Sequence, residues 1–265
     1  MTAFPIPTWF VGCGNMAGAM VEGWRRGGTE LAGTLAIRPS GKPVEGIETV
    51  TTIPGSGEPM LVLLGFKPQM LDQVVPILEP RIGPSTSIIS ILAGAELASL
   101  RKRFPRAAQI VRAMPNLPVS EGKGVVAMVS EATVGNDLLA LFGPLGLIHA
   151  ARDEAEFAAI GALAGAGPAY VARFVAAMAK AGTARGLAPE LAATIALQTV
   201  LGTAAMAESN GEAMDALANR VASPKGTTEA GLAVLDSEAA LDRLVDKTLE
   251  AAARRGAELA AAARG

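Results

Sequence analysis

The chain has 265 residues, half of them hydrophobic and 18% charged, which is ample for a substantial core and excludes a disordered protein. A net charge of −2, with no basic cluster interleaved with aromatics, gives no reason to expect nucleic acid as a partner. One cysteine, Cys13, and one histidine, His149, exclude an intrachain disulfide and a Cys/His zinc site, so no metal is expected.

Taken in chain order, short apolar runs alternate with helical patterns through the first 150 residues. Thr8–Gly12 reads as a strand, followed by a helix over Asn15–Arg26, a strand at Thr34–Arg38 and a buried strand at Met60–Phe66. A helix over Gln69–Leu78, a strand at Ser87–Leu92, a helix over Ala95–Arg103 and a strand at Gln109–Ala113 come next. Val125–Val129, a helix over Ala132–Leu141 and Leu147–Ala150 close the series. Strands rich in Val, Ile and Leu without clean alternation fit a sheet buried on both faces, so the pattern predicts a mostly parallel sheet covered by helices.

From about Asp153 only helical patterns remain: Glu154–Leu163, Ala169–Arg185, Pro189–Glu208, Glu212–Val221, Thr227–Leu235 and Ser237–Ala263. The expected organisation is α/β, with a Rossmann-type domain over residues 1–152 and an all-helical domain over 153–265. Met1 to Pro7 is short, uncharged and proline-bearing and does not read as a signal peptide. The longest apolar stretch, Phe157 to Ala172, contains three glycines and a proline and ends at Arg173, short of the roughly 20 residues of a membrane span. A cytoplasmic protein without a membrane partner is the expectation.

Val11-Gly12-Cys13-Gly14-Asn15-Met16-Ala17 follows the first strand and opens the first helix. Gly12, Gly14 and Ala17 occupy the three places of G-x-G-x-x-G/A, where they serve the tight turn, the approach of a pyrophosphate and close helix–strand packing. A lone motif of this kind is weak, but its position at the first strand of a βαβ series points to a dinucleotide. The second strand ends Arg38-Pro39-Ser40, without the acid that holds a ribose 2′-hydroxyl. Arg38 and Ser40 suit a 2′-phosphate instead, so NADP(H) is expected and NAD(H) is left open.

Phe66-Lys67-Pro68 and Ala93-Gly94 end strands where open α/β sheets place their ligands. Lys67 either contacts the cofactor or caps its strand. Met114-Pro115-Asn116 ends a further strand, and Asn116 either donates to a ligand or holds its own turn.

Ser223-Pro224-Lys225-Gly226-Thr227-Thr228 breaks the Ala-rich second half with a concentrated set of hydrogen-bond donors. Ser223 suits an N-cap, Pro224 a first helical position, and Gly226 the close approach of a ligand to backbone. Such a helix start favours a small anion. A cofactor site and a separate small-anion site in one chain suggest an enzyme.

In order and spacing, Gly12–Ala17, Phe66–Gln69, Arg112–Asn116, Gly165–Tyr170 and Val221–Leu232 resemble the pyrroline-5-carboxylate reductase family, with the Ser-Pro-x-Gly-Thr-Thr element the most specific part. The resemblance implies a Rossmann domain followed by a helical dimerisation domain. It also implies reduction of 1-pyrroline-5-carboxylate to L-proline with NAD(P)H, in a homodimer or a larger ring of dimers. It implies that Ser223, Gly226, Thr227 and Thr228 bind the substrate carboxylate, that the Thr228 hydroxyl faces the ring nitrogen, and that Glu154 lies near the substrate.

The chain departs from the family pattern at several places. Ala164 and Ala166 replace hydroxyl residues, Ala177 and Lys180 stand on a usually acidic helix, and Ala218-Asn219 replace a basic–acidic pair. Lys225 replaces a common glycine, its ammonium directed either at the anion or into solvent. These changes bear on substrate range. Two alternatives remain: a reductase of another cyclic imine or of a 3-hydroxy acid, for which Lys180 is the only candidate lysine, and a non-catalytic NADP(H)-binding regulator. Cys13 and His149 read as structural.

Overall fold

The computed structural model describes residues 2–264. Eight strands form one sheet in the order β3-β2-β1-β4-β5-β6-β7-β8. They are β1 (Thr8–Val11), β2 (Thr34–Ile37), β3 (Glu48–Val50), β4 (Leu61–Leu64), β5 (Ser87–Ser90), β6 (Gln109–Pro115), β7 (Gly124–Ser130) and β8 (Gly146–Ala150). All neighbours are parallel except β6 and β7. The chain reverses its direction of growth between β1 and β4, which makes the crevice beyond their carboxyl ends the place where such sheets bind ligands.

The sheet separates two apolar clusters. Phe10, Leu63, Ile89 and Val111 point to one face, with helix α1 (Asn15–Arg26) and α4 (Asn136–Phe142) packed there. Trp9, Val62, Leu64, Ile88 and Ile110 point to the other, against α2 (Leu71–Leu78) and α3 (Leu97–Arg103). That alternation, with β1 and β4 buried along their whole length, is why the strands show continuous apolar runs. Four of the chain's few aromatics meet edge to face: Trp24 contacts Phe4, Phe10 and Phe142 at centroid distances of 4.9, 5.9 and 5.2 Å. The Trp24 indole N–H is satisfied by the Leu141 carbonyl at 2.8 Å.

The helical half consists of α5 (Glu154–Ile160), α6 (Gly167–Thr183), α7 (Pro189–Asn210), α8 (Met214–Val221), α9 (Thr227–Asp236) and α10 (Ala240–Arg264). The expected end of a helix near Leu163 does not occur. A π turn over Gly161–Gly165 carries α5 into α6, so that Glu154–Thr183 runs as one helical stretch. The extra residue in a π turn absorbs the glycines that read as breakers, and Pro168 falls at the start of α6, where its missing N–H is tolerated. That stretch and Pro189–Asn210 are long and apolar enough to cross a membrane by length and composition, although the glycines and proline had suggested otherwise.

Strands give way to helices at the composition change near residue 152. By compactness the chain divides elsewhere: one unit runs to Ala166 and includes the stretch from Ala252, and Gly167–Ala251 forms the other.

Candidate active site

In the first unit, β1 ends in a turn at Gly12, whose φ of +79° suits glycine. A side chain there would place its Cβ 2.8 Å from the Phe66 backbone, so the ends of β1 and β4 close on each other only because Gly12 is bare. Ala17 packs on the same crossing: a Cβ at Gly65 would lie 3.1 Å from the Ala17 methyl. Gly14 is the N-cap of α1. The helix has no side-chain cap and no acid in its first turn, and a Cβ on Gly14 would meet nothing within 4 Å. Open N–H groups, a positive helix end and free space above Gly14 fit a pyrophosphate. Asn15 is exposed at the start of α1, and Met16 packs on the core.

A cleft of about 290 Å³ opens beside Gly14 and Asn15, with Arg38 and Lys42 in its wall. Ser40 is exposed in the turn after β2, and its hydroxyl accepts the Lys42 N–H at 3.3 Å. Arg38 also lies near the buried Cys13 thiol, whose pKa is pushed up by burial and drawn part of the way back by the guanidinium. Lys67 is exposed and caps the short 3₁₀ turn that begins at Pro68. Gly94 adopts φ +78° after β5, and a Cβ there would come 2.8 Å from the Leu259 carbonyl, while Ala93 is exposed.

Strand β6 meets the start of the helical stretch through every second residue, as strand geometry requires. Arg112, 11% exposed, donates to the Glu154 carboxylate and lies 4.5 Å over the Phe157 ring. Burial draws its pKa down and the Glu154 charge restores part of that. The other Glu154 oxygen accepts the Leu97 N–H at 3.1 Å, at the start of α3. Met114 follows, with its Sδ 2.7 Å from where a Cβ on Gly161 would stand. Asn116 completes the row: its Nδ2 donates to the Ala164 carbonyl at 3.0 Å and its Oδ1 accepts the Val125 N–H at 2.8 Å. Asn116 therefore holds its own turn and a carbonyl of the π turn, and Pro115 is buried beside it. The Glu154 carboxylate is likewise engaged by protein groups, a role that sequence reasoning missed because Arg112 lies 42 positions away.

In the second unit, the loop before α9 differs from expectation. Ser223 is not the N-cap and Pro224 is not the first helical residue. Instead Ser223–Gly226 forms a β-turn closed by the Gly226 N–H to the Ser223 carbonyl at 2.9 Å, and the helix starts at Thr227 with Gly226 as N-cap. The turn has proline at its second place and a positive φ of +60° at its third, Lys225. A Cβ on Gly226 would fall 2.3 Å from the Ser223 Oγ, so Gly226 is bare to make room for Ser223. The Lys225 N–H is taken by the Glu229 carboxylate. No side chain caps α9 through Gly226, and the backbone at Thr227 and Thr228 opens the helix. Lys180 is exposed on α6.

Residues 154–259 match the family model for pyrroline-5-carboxylate reductase dimerisation. The chain is 34% identical to the pyrroline-5-carboxylate reductase of Pseudomonas aeruginosa, over 95% of this chain and 96% of that protein. It is 32% identical to pyrroline-5-carboxylate reductase 2 of Bacillus subtilis, over 94% of each. Among solved structures, the Coxiella burnetii pyrroline-5-carboxylate reductase superposes with a TM-score of 0.86 at 31% identity, covering 96% of this chain and 98% of that one. The Plasmodium falciparum pyrroline carboxylate reductase with NADP bound gives 0.83 at 25% identity, with the same coverage. The chain belongs to the pyrroline-5-carboxylate reductase family.

Proposed function

We infer that this protein is a pyrroline-5-carboxylate reductase, adding hydride to the C=N bond of 1-pyrroline-5-carboxylate to give L-proline, the last step of proline biosynthesis. The observation that carries this reading is similarity to reductases of that name along nearly the whole length of both chains. NADP(H) binds the first unit, where the bare Gly12 crossing and the open start of α1 fit a dinucleotide. The bound cofactor supplies the hydride. A protonated imine is already electrophilic, so positioning supplies much of the rate and no strong protein acid is required.

The finer assignments extend this reading. NADP(H) is preferred to NAD(H), because β2 is followed by Arg38 rather than an acid. The first-turn backbone of α9 holds the substrate carboxylate, with Ser223 and Gly226 shaping the turn that presents it. The Thr228 hydroxyl orients the imine nitrogen and relays a proton from water. Arg112, Glu154 and Asn116 support the site by fixing β6 against the π turn. The apolar faces of the second unit are covered by a second copy of the chain, giving a homodimer and, in larger assemblies, a ring of dimers. The free, buried Cys13 suits a reducing cytoplasm.

The test follows NADPH consumption with pyrroline-5-carboxylate, with other cyclic imines and with no substrate, and NADPH formation from NADP+ with 3-hydroxy acids. Turnover confined to pyrroline-5-carboxylate supports the assignment, and preferential turnover of another imine replaces it. For Thr228→Ala the expectation is a fall in kcat/KM with unchanged NADPH affinity. Equal loss of both would make Thr228 a structural residue.

A further inference from the structure

The connection after β2 carries a charge arrangement that the glycine motif does not account for. Arg38-Pro39-Ser40-Gly41 turns tightly, with the Gly41 N–H on the Arg38 carbonyl at 2.9 Å and Gly41 at φ +63°. The Ser40 hydroxyl accepts the Lys42 N–H, and the Arg38 guanidinium donates through Nη1 to the Lys42 carbonyl at 3.0 Å. The turn therefore fixes the guanidinium and brings Lys42 back to the same cleft.

Four residues with charged side chains border that cleft: Glu22, Arg38, Lys42 and Glu45. Both acids are already neutralised. Glu22 pairs with Arg26 at 2.8 Å and with Arg25 at 3.4 Å, and Glu45 pairs with Arg25 at 2.6 Å. Among the described residues neither Arg38 nor Lys42 has a carboxylate partner, so two residues with uncompensated cations border the cleft beside Gly14. A phosphate monoester carries about 1.5 to 2 negative charges near neutral pH. One guanidinium fork engages two of its oxygens and leaves a third oxygen, with much of the charge, for a second cation.

We propose that Lys42 is a second specificity determinant for NADP(H), its ammonium sharing the cofactor's 2′-phosphate with Arg38, while Ser40 shapes the turn. This rests on the reading of the chain as an NADP(H)-dependent reductase. Selection works in both directions, since a cofactor lacking the phosphate leaves both cations unneutralised.

The experiment measures dissociation constants of NADPH, NADH and adenosine 2′,5′-bisphosphate for the intact protein and for Lys42→Ala, Lys42→Arg and Arg38→Ala. Lys42→Ala should weaken NADPH and the bisphosphate about tenfold, the scale of one charged hydrogen bond, and leave NADH within about twofold. It should also flatten the salt dependence of NADPH binding, and Lys42→Arg should restore both. If Lys42→Ala weakens NADPH and NADH alike, or weakens neither in a protein that prefers NADPH, Lys42 is not a determinant and the reductase reading stands. If the unaltered protein binds NADH as well as NADPH and does not bind the bisphosphate, the NADP(H) reading fails and the proposal falls with it.

Discussion

The two units of this chain solve the burial problem differently. In the sheet unit the large side chains are inside: Trp24, Phe10, Phe104 and Phe142 are all 0% exposed. In the helical unit α6 and α9 bury no residue, and α7 buries only three alanines. Its large apolar side chains, among them Phe174, Leu191, Ile195 and Leu201, are about half exposed. A sheet covered on both faces completes its core within one chain, whereas helices with apolar residues on several sides need another surface to cover them. The first unit thus closes its own core, and the second leaves large apolar side chains uncovered. The family model matched by residues 154–259 is named for dimerisation.

The largest expected effect tests the self-sufficient side. Trp24→Ala removes the centre of the aromatic cluster and orphans the Leu141 carbonyl contact, and should cost about 3–5 kcal/mol in denaturant unfolding. Its counterpart, Leu201→Asp, should leave NADPH binding intact while sedimentation shows a smaller particle. A particle of unchanged size, or one that requires lipid or detergent to stay in solution, would break the comparison.

Glu154→Gln comes next. It leaves the Arg112 guanidinium buried without its charge partner, but Glu154 is 39% exposed, so solvent screening limits the loss to about 1–3 kcal/mol. A double-mutant cycle with Arg112→Met measures the coupling, and a value near zero would remove the row at Arg112, Met114 and Asn116 as a support of the site.

Lys225→Gly should stabilise the helical unit by about 0.5–1 kcal/mol, because a residue with a side chain pays to hold φ at +60°. If the variant is less stable, the ammonium makes a contact worth more than that strain.

The smallest effect is one of pH. The Arg152 N–H, then the Arg152 side chain and His149, hold the Glu156 carboxyl down to about 2, below its ordinary 4.5. A carboxyl depressed on folding adds stability that is full above 4.5 and lost as pH falls from there toward 2. Glu156→Gln should flatten that acid limb: the variant should be less stable than the unaltered protein above 4.5 and converge with it toward 2, and a difference that does not shrink on acidification would point to another cause.

The sheet was legible in sequence because its signals are local: apolar runs, a glycine motif at the first strand, turn residues between. β3 escaped because Glu48–Val50 is only three residues with no apolar run. The π turn escaped because Gly161, Gly165 and Pro168 read as punctuation, while the residue that captures its free carbonyl, Asn116, lies 48 positions upstream. The loop before α9 was recognisable as a chemical element and its helix starts at Thr227 as expected, yet Ser223 and Pro224 belong to the turn before it and not to a cap and first helical position. Nothing local announces that Lys225 adopts the conformation usually left to glycine. Lys42 shares a cleft with Arg38 only after Gly41 turns the chain.

The most direct test of the central claim is product analysis after the purified protein is mixed with pyrroline-5-carboxylate and NADPH. The account predicts L-proline formed mole for mole with NADPH consumed. NADPH bound with no imine consumed would contradict it and leave a cofactor-binding protein without this chemistry.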